Sequence, residues 1–221
     1  MKYVVALPYM NRDYAEETIG SLCPELRRGL VTTNNSEINR GIMWAHNRAV
    51  RTMHADAEAQ WLIVMSSAVT FGPRMGFDFL DALDEHTDHD VVEAAGVFGW
   101  HLIAFSRQII TEVGYWDETF TPYGFDDIDM MIRIQNACEM AGREPLWTKA
   151  VIEIADRGMG LSVKEEGVRA DVEAQIDYFT AKWGRHPGHS DVKAWSTPFN
   201  SGKPQGYWPG HERAGLESAN R

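Results

Sequence analysis

Short apolar segments that alternate with longer amphipathic stretches constrain the fold of this chain most strongly. The segment Lys2 to Leu7 (KYVVAL) is rich in Val and precedes Pro8, and Trp61 to Met65 (WLIVM) is continuously apolar. Such runs predict buried β-strands, and the first should end at Pro8 because proline has no N–H to donate. The stretches between them have helical spacing, so we expect an α/β domain with Trp61 to Met65 as a central strand.

The same patterns predict the other elements and the domain limits. Helical spacing of apolar residues predicts helices at Asp13 to Leu26, Asn39 to Met53, Phe77 to Leu83 and Lys164 to Trp183. Pro24 is expected to bend or end the first of them. Further strands are expected at Leu30 to Thr33, Val91 to Phe98, Leu102 to Phe105 and Leu146 to Ala155. Gly, Pro, His and aromatic residues replace this periodicity near the C-terminus. We therefore expect one domain over residues 1–184 and an extended tail over 185–221.

Charge and cysteine content narrow the classes of function. The 221 residues carry a formal net charge of −11, which argues against a non-specific nucleic-acid or anionic-membrane surface. Cys23 and Cys138 form no CxxC motif and are expected to be buried thiols rather than a disulfide framework. The apolar runs are too short for a signal peptide or a transmembrane helix, so a cytoplasmic location is expected.

The stretch Val113 to Arg133 (VGYWDETFTPYGFDDIDMMIR) combines an aromatic–acidic segment with three aspartates at a helix start. Asp129 and Arg133 are spaced to pair on one helical face. Asp126 and Asp127 fall in the first turn, where free backbone N–H groups favour anions. A single aspartate there is usually a helix cap, but two adjacent acids exceed what one cap needs. A carboxylate on a rigid helix start beside a loop-lined cleft is suited to general-base chemistry.

This stretch resembles the vG-x-aDE-x-F … (E/D)D-x-D signature of inverting GT-A glycosyltransferases similar to family 2. The resemblance implies a GT-A-like (Rossmann-like) mixed sheet flanked by helices, and transfer of a sugar from a nucleotide sugar to an acceptor hydroxyl. In that family the second acid of the doublet is the proposed base, which corresponds to Asp127, with Asp126 beside it. The family also places the acceptor near the preceding segment, here Trp116, Asp117 and Glu118.

Polar residues at the predicted strand ends form the candidate donor site. In open α/β sheets ligands bind beyond the carboxyl ends of strands, so the loop after the first strand is a candidate rim. By the resemblance, this loop holds the nucleotide, the v-x-D/N-N-x-S strand end contacts the base, and the N-x-G-x-x-x-A-x-N pattern lines the diphosphate of a UDP-, GDP- or dTDP-sugar. The donor-binding candidates are Pro8, Tyr9, Asn11, Asn35, Asn39, Asn47, Ser66 and Ser67.

The metal-binding motif of the family is interrupted at Ala68, where the resemblance implies an aspartate that binds a divalent cation. Ser66 and Ser67 are poor ligands for Mg²⁺ or Mn²⁺. The segment Asp156 to Ser162 also lacks the metal-binding histidine that many relatives carry. We therefore predict no metal ligands of the usual kind and leave dependence on a divalent metal open. Arg157 is a candidate cation for the leaving diphosphate, although an ordinary loop arginine is the preferred interpretation.

The histidines allow more than one interpretation. His101 lies in a segment that resembles G-x-H-x-x-A-F-x-R, which the family places beside the acceptor. A base role fits it, but a structural hydrogen bond is the preferred interpretation. His86 and His89 lie in an acidic stretch where a solvated loop is preferred over a metal site. His186 and His189 lie in RHPGHS, where a turn is the preferred interpretation.

Two other functions fit part of the sequence. A nucleotidyltransferase would need a Gly-rich phosphate loop after the first strand, and PYMNRD contains no glycine. A degenerate GT-A domain that binds a glycan or nucleotide sugar without transfer would explain Ala68, but has less need of Asp126 and Asp127. The C-terminal elements KWG…PG…PF resemble small glycosyltransferases of actinobacteria and their phages, which would imply a glycan, lipid-linked or protein acceptor in a host cytoplasm.

Overall fold

Eight strands within the described part of the chain form a six-stranded sheet and a separate two-stranded sheet. The computed structural model describes residues 2–95, 100–121, 124–152, 154–156 (backbone only), 172–184 and 186–187. The strands are β1 (Tyr3–Tyr9), β2 (Leu30–Asn34), β3 (Trp61–Met65), β4 (Val69–Phe71), β5 (Val91–Ala94), β6 (Leu102–Ser106), β7 (Trp147–Ala150) and β8 (Ile154–Asp156). The large sheet has the order β2-β1-β3-β6-β5-β7, and β4 pairs with β8. The expected mixed sheet, with β3 in its interior, is confirmed.

Seven described helices cover the two faces of the large sheet. They are α1 (Arg12–Ser21), α2 (Pro24–Arg28), α3 (Ile42–Ala55), α4 (Met75–Glu85), α5 (Arg107–Val113), α6 (Asp126–Met140) and α7 (Val172–Trp183). Side chains alternate along each strand, so Val4 joins the core beneath α3, α5, α6 and α7, whereas Val5 joins the core beneath α1, α2 and α4. All candidate residues of the acid-rich stretch belong to the first of these layers.

Strand β1 continues through Pro8, contrary to the prediction that it ends there. The carbonyl of Tyr9 accepts a hydrogen bond from Asn35 N (2.8 Å) on the β2 side, so the alternate residue Pro8 is directed toward β3. Pairing between β1 and β3 has already ended at Ala6 and Val64. The missing N–H of Pro8 therefore costs no ladder hydrogen bond.

Other differences from the sequence predictions have local causes. The helix predicted for Asp13 to Leu26 is interrupted before Pro24, as expected, but the chain then forms a second helix, α2. Pro24 begins α2 because its missing N–H is tolerated in a first turn. The strand predicted for Leu146 to Ala155 is divided into β7 and β8. Neither β4 nor α5 was predicted. Residues 96–98, Arg157, residues 164–171, His189 and nearly all of the predicted tail 185–221 lie outside the described residues.

Candidate functional site

The carboxyl ends of β1, β2 and β3 meet at one edge of the sheet because these three strands are parallel. Asn35 follows β2 and donates its backbone N–H to the carbonyl of Tyr9 at the end of β1 (2.8 Å). Ser66 follows β3 and donates to the carbonyl of His101 (2.8 Å). The structure thus brings residues of the predicted donor side and the half-buried His101 to the same edge, as expected for an open α/β sheet.

Asn35 is buried at this edge with only part of its amide engaged. Its Nδ2 donates to the carbonyl of Gly41 (3.3 Å), and that carbonyl can only accept, which fixes the orientation of the amide. No described residue donates to the Asn35 Oδ1. Buried polar atoms are nearly always paired in folded proteins, so this acceptor is an unusual feature of the predicted donor side.

The other asparagines and the serines at this edge have local hydrogen bonds. The Oδ1 of Asn11 accepts from Asp13 N (2.9 Å) and begins α1. The Oδ1 of Asn39 accepts from Gly41 N (3.0 Å), and Ser66 Oγ accepts from Ala68 N (3.1 Å). These contacts are those of caps and turns. Donor binding by these residues, and by Pro8 and the buried Ser67, stays a prediction.

Asn47 connects α3 to the segment before α6. Its Nδ2 donates to the carbonyl of Trp116 (2.9 Å), and its Oδ1 accepts from Trp116 N (2.8 Å). The same Nδ2 also contacts Glu118 Oε1 (2.8 Å). Both ends of the amide are therefore engaged within the protein, which gives Asn47 a structural role in addition to the donor-binding role predicted from the sequence.

The segment predicted to contact the acceptor is mostly buried. Trp116 is 1% exposed and Asp117 is 2% exposed, whereas Glu118 is exposed. Asp117 Oδ2 accepts from Tyr178 Oη (2.6 Å) and Lys182 Nζ (2.8 Å), both on α7. Burial raises the pKa of the Asp117 carboxyl, but Lys182 and Tyr178 outweigh this effect, so its pKa lies below the usual value. Trp116 and Asp117 are therefore packed within the protein, and Glu118 is the exposed member of the segment. Contact of this segment with an acceptor stays a prediction.

An unusual backbone turn presents the acid doublet. Gly124 (φ +118°) and Phe125 (φ +60°) both have positive φ, and Phe125 is the only described residue other than glycine that does. Gly124 N donates to Asp126 Oδ1 (3.1 Å). A Cβ at position 124 would lie 2.3 Å from Gln175 Oε1 on α7. Strained backbone of this kind persists where the surroundings hold it, often at functional sites.

The two acids of the doublet have different environments. Asp126 is half-buried, and burial together with the neighbouring Asp127 raises the pKa of its carboxyl to about 7. Asp127 is exposed, and its Oδ1 accepts from Ile128 N (2.8 Å). Perturbed carboxyl groups are frequent at catalytic sites because acid–base chemistry needs a pKa near the working pH.

Beneath the doublet lies a buried cluster of charges. The predicted pair Asp129–Arg133 is confirmed, with 3.0 Å between Oδ2 and Nε. Lys182 Nζ lies 2.6 Å from Asp129 Oδ1, and Trp183 Nε1 donates to the same oxygen (2.9 Å). Lys182 was not among the predicted site residues, because the apolar face of its helix predicted packing alone. A lysine beside the apolar face of a helix was the available sequence signal, because a lysine that is buried there needs a charged partner.

The described residues do not fit the metal site of the GT-A resemblance. Ala68 supplies no ligand, and no group of three or more His, Cys, Asp or Glu side chains within the described part of the chain is arranged to hold a metal ion. His89 pairs instead with Asp88 (2.9 Å), and its ring centroid lies 4.6 Å from that of His86. The side chain of Asp156 is outside the description. We therefore derive no chemical step through a metal.

Comparison with known proteins gives a structural relationship and no sequence relationship. No protein-family model matches the sequence, and no curated protein matches it.

None of the described helices combines the length and apolarity needed to cross a bilayer.

Solved structures of glycosyltransferases are similar to this chain. The catalytic domain of Drosophila β1,4-galactosyltransferase 7, in complex with xylobiose, has a TM-score of 0.53 at 9% identity over 87% of this chain and 83% of that chain. S. aureus TarS has a TM-score of 0.51 at 13% identity over 82% of this chain. The mannosyltransferase PcManGT from Pyrobaculum calidifontis, in complex with GDP-Man and Mn²⁺, has a TM-score of 0.49 at 15% identity over 68% of this chain.

These likenesses define the fold, which is the GT-A fold of glycosyltransferases. The chain spans 42% of the length of TarS and 55% of that of the mannosyltransferase. At such low identities a shared fold does not transfer an activity, since one fold carries many functions. Function therefore has to be argued from the site.

Proposed function

We propose that this chain is a glycosyltransferase that moves a sugar from a nucleotide-sugar donor to an acceptor hydroxyl, with inversion at the anomeric carbon. The observation that carries the proposal is the Asp126–Asp127 doublet at the start of α6, which follows a strained turn in a GT-A fold. A mutant of Drosophila β1,4-galactosyltransferase 7 solved in complex with manganese, UDP-Gal and xylobiose is similar to this chain with a TM-score of 0.52, and it supports a donor of this class. Asn35, whose Oδ1 has no donor among the described residues, supports a polar ligand at the carboxyl ends of β1 and β2.

The proposed reaction is a single displacement. The acceptor oxygen attacks the anomeric carbon as the bond to the donor diphosphate breaks, and the exposed carboxylate of Asp127 takes the acceptor proton. The nucleoside diphosphate leaves with the bonding electrons. Asp126, whose pKa of about 7 keeps it partly protonated near neutrality, supplies a hydrogen-bond donor beside this base. Exposed Glu118 is the candidate contact for the acceptor.

A second candidate function is a domain that binds a nucleotide sugar or a glycan without transfer. Ala68 favours this alternative, because the carboxylate that usually holds the donor's metal is missing. The two functions predict the same binding but different products. A binder saturates with nucleotide sugar and releases no nucleoside diphosphate.

The test begins with a thermal-shift screen of UDP-glucose, UDP-galactose, GDP-mannose and a dTDP-sugar, since a bound ligand raises the melting temperature by mass action. Release of nucleoside diphosphate from each hit is then measured for the natural chain and for Asp127→Asn. We expect Asp127→Asn to bind the donor normally and to lower turnover by about two to four orders of magnitude, the usual contribution of a general base.

The matched control is Asp81→Asn, an exposed aspartate on α4 in the opposite layer. It makes the same chemical change and should leave turnover unaltered. Near-normal turnover of Asp127→Asn would transfer the base role to Asp126. Binding without turnover in the natural chain would favour the non-catalytic alternative.

A further inference from the structure

Four side chains of helix α7 donate hydrogen bonds to the segment 117–129. Tyr178 and Lys182 bind Asp117, Trp183 binds Asp129, and Gln175 Nε2 donates to the carbonyl of Thr121 (3.2 Å). The hydrogen bonds of Lys182 and Trp183 are buried, and those of Gln175 and Tyr178 are partly buried. Helix α7 therefore holds the loop before α6 and the first turn of α6 together, although it is remote from both in the sequence.

Lys182 is the member of this set that bridges the two segments. Its Nζ lies 2.8 Å from Asp117 Oδ2 in the loop and 2.6 Å from Asp129 Oδ1 in α6. The Lys182 side chain is fully buried. The side chains of Asp117 and Asp129 are 2% and 1% exposed. A lysine is almost never buried to this extent unless it is paired, so its position is fixed by the two carboxylates.

The charges facing Lys182 balance within the cluster. Asp117 and Asp129 contribute two negative charges, and Lys182 and Arg133 contribute two positive ones. The Tyr178 hydroxyl is a neutral partner of Asp117. Burial and the neighbouring Asp117 raise the pKa of this hydroxyl above its usual value, so it stays protonated. Removing the lysine alone would leave one buried carboxylate uncompensated, which strongly destabilises folded proteins.

We propose that Lys182 is a positioning residue for the acid doublet. By binding Asp117 and Asp129 at once, it sets the distance between exposed Glu118, the candidate contact for the acceptor, and Asp127, the proposed base. Loss of the bridge lets these segments move relative to one another, and misplacement of about 1 Å can cost roughly 100-fold in rate. This inference rests on the proposed function for its catalytic part only.

The experiment separates positioning from stability with three variants. Lys182→Met removes the bridge and leaves an uncompensated carboxylate. Lys182→Met/Asp117→Asn removes the bridge and one negative charge, so that Asp129 and Arg133 remain a balanced pair. Arg143→Met is the matched control, because Arg143 also bridges two carboxylates, Asp90 and Glu112, at the far end of α6.

The double variant gives the decisive kinetic result. We expect it to regain much of the melting temperature lost in Lys182→Met while kcat for release of nucleoside diphosphate stays about 10–100-fold below that of the natural chain, with KM for the donor nearly unchanged. Arg143→Met should lower the melting temperature and leave kcat unaltered. Recovery of kcat together with stability in the double variant would show that Lys182 is only structural.

Hydrogen exchange tests the bridge without any turnover. Amides in residues 114–121 and 124–131 should exchange faster in the double variant than in the natural chain. The exchange rates of amides in α3 after Asn47 should be the same in both proteins. Equal exchange in both proteins would overturn the proposal. If the natural chain turns over none of the nucleotide sugars, the proposed function fails, and the exchange result still decides whether Lys182 couples the two segments.

Discussion

Replacement of Asn47 by alanine would test whether this residue supports the site or binds the donor. The Asn47 side chain pairs with both the backbone N–H and the backbone carbonyl of Trp116. Among the described contacts no other side chain of α3 does so, and the substitution removes both hydrogen bonds. Trp116 is 1% exposed, so water cannot replace the amide without a rearrangement of the segment. The free energy of unfolding should therefore fall.

The size of the effect follows from the two peptide groups left unpaired. A buried donor or acceptor without a partner costs about 1–3 kcal/mol, so we expect a loss of about 2–6 kcal/mol for the pair. The hydrogen bond to exposed Glu118 adds little. For a chain of this size each kcal/mol lowers the melting temperature by about 2–4 °C, which gives a decrease of about 4–24 °C.

The assay compares Asn47→Ala with Asn39→Ala by thermal and urea unfolding, and measures nucleoside diphosphate affinity for both. Asn39 is exposed and makes one local hydrogen bond, to Gly41 N, yet the sequence predicts the same donor-binding role for it. Its replacement should cost about 0.5–1.5 kcal/mol at most. Equal melting temperatures for the two variants, with a loss of affinity confined to Asn47→Ala, would refute the structural reasoning.

Three further predictions concern the turn, the doublet and the metal. Between pH about 4 and about 7 Asp126 keeps its proton in the folded but not the unfolded state, so its contribution to stability falls as pH rises through that window. The melting temperature of Asp126→Asn relative to the natural chain should therefore increase from pH 5 to pH 8, and a constant difference would contradict the raised pKa. Gly124→Ala should cost more stability than Gly142→Ala, because both positions have positive φ but only the first would place a Cβ against Gln175; equal losses would exclude the clash. Donor binding measured by calorimetry should persist in EDTA because Ala68 provides no ligand, whereas affinity that collapses and returns with Mn²⁺ would reveal another carboxylate ligand.

The sequence predicted the strands better than it predicted their connections. Trp61 to Met65 has the predicted limits because a continuous apolar run in the sheet interior leaves few alternatives. Strand β4 is only three residues long and pairs with a segment more than 80 residues away, so no local pattern could indicate it. Helix α5 follows β6 without a loop, and its seven residues are too few for a clear helical period.

The candidate site was predicted where the chemistry is local to one segment. The Asp129–Arg133 pair follows from helical spacing alone and is present. Burial of Asp117 could not be predicted, because it depends on Tyr178 and Lys182 from a helix far along the chain. The positive φ of Phe125 was equally hidden, since phenylalanine gives no signal for a left-handed backbone.

The distance along the chain between Asp117 and its partners on α7 has a consequence for synthesis on the ribosome. Asp117 and Lys182 are 65 residues apart, so translation at about 5–20 residues per second separates their appearance by roughly 3–13 s. All six strands of the large sheet lie before residue 151 and can pair during this interval. Asp117 and Asp129 must remain hydrated until α7 emerges, because their buried positions have no compensating lysine before then. The sheet can thus form first, and the geometry of the acid doublet is completed only when the last described helix has been made.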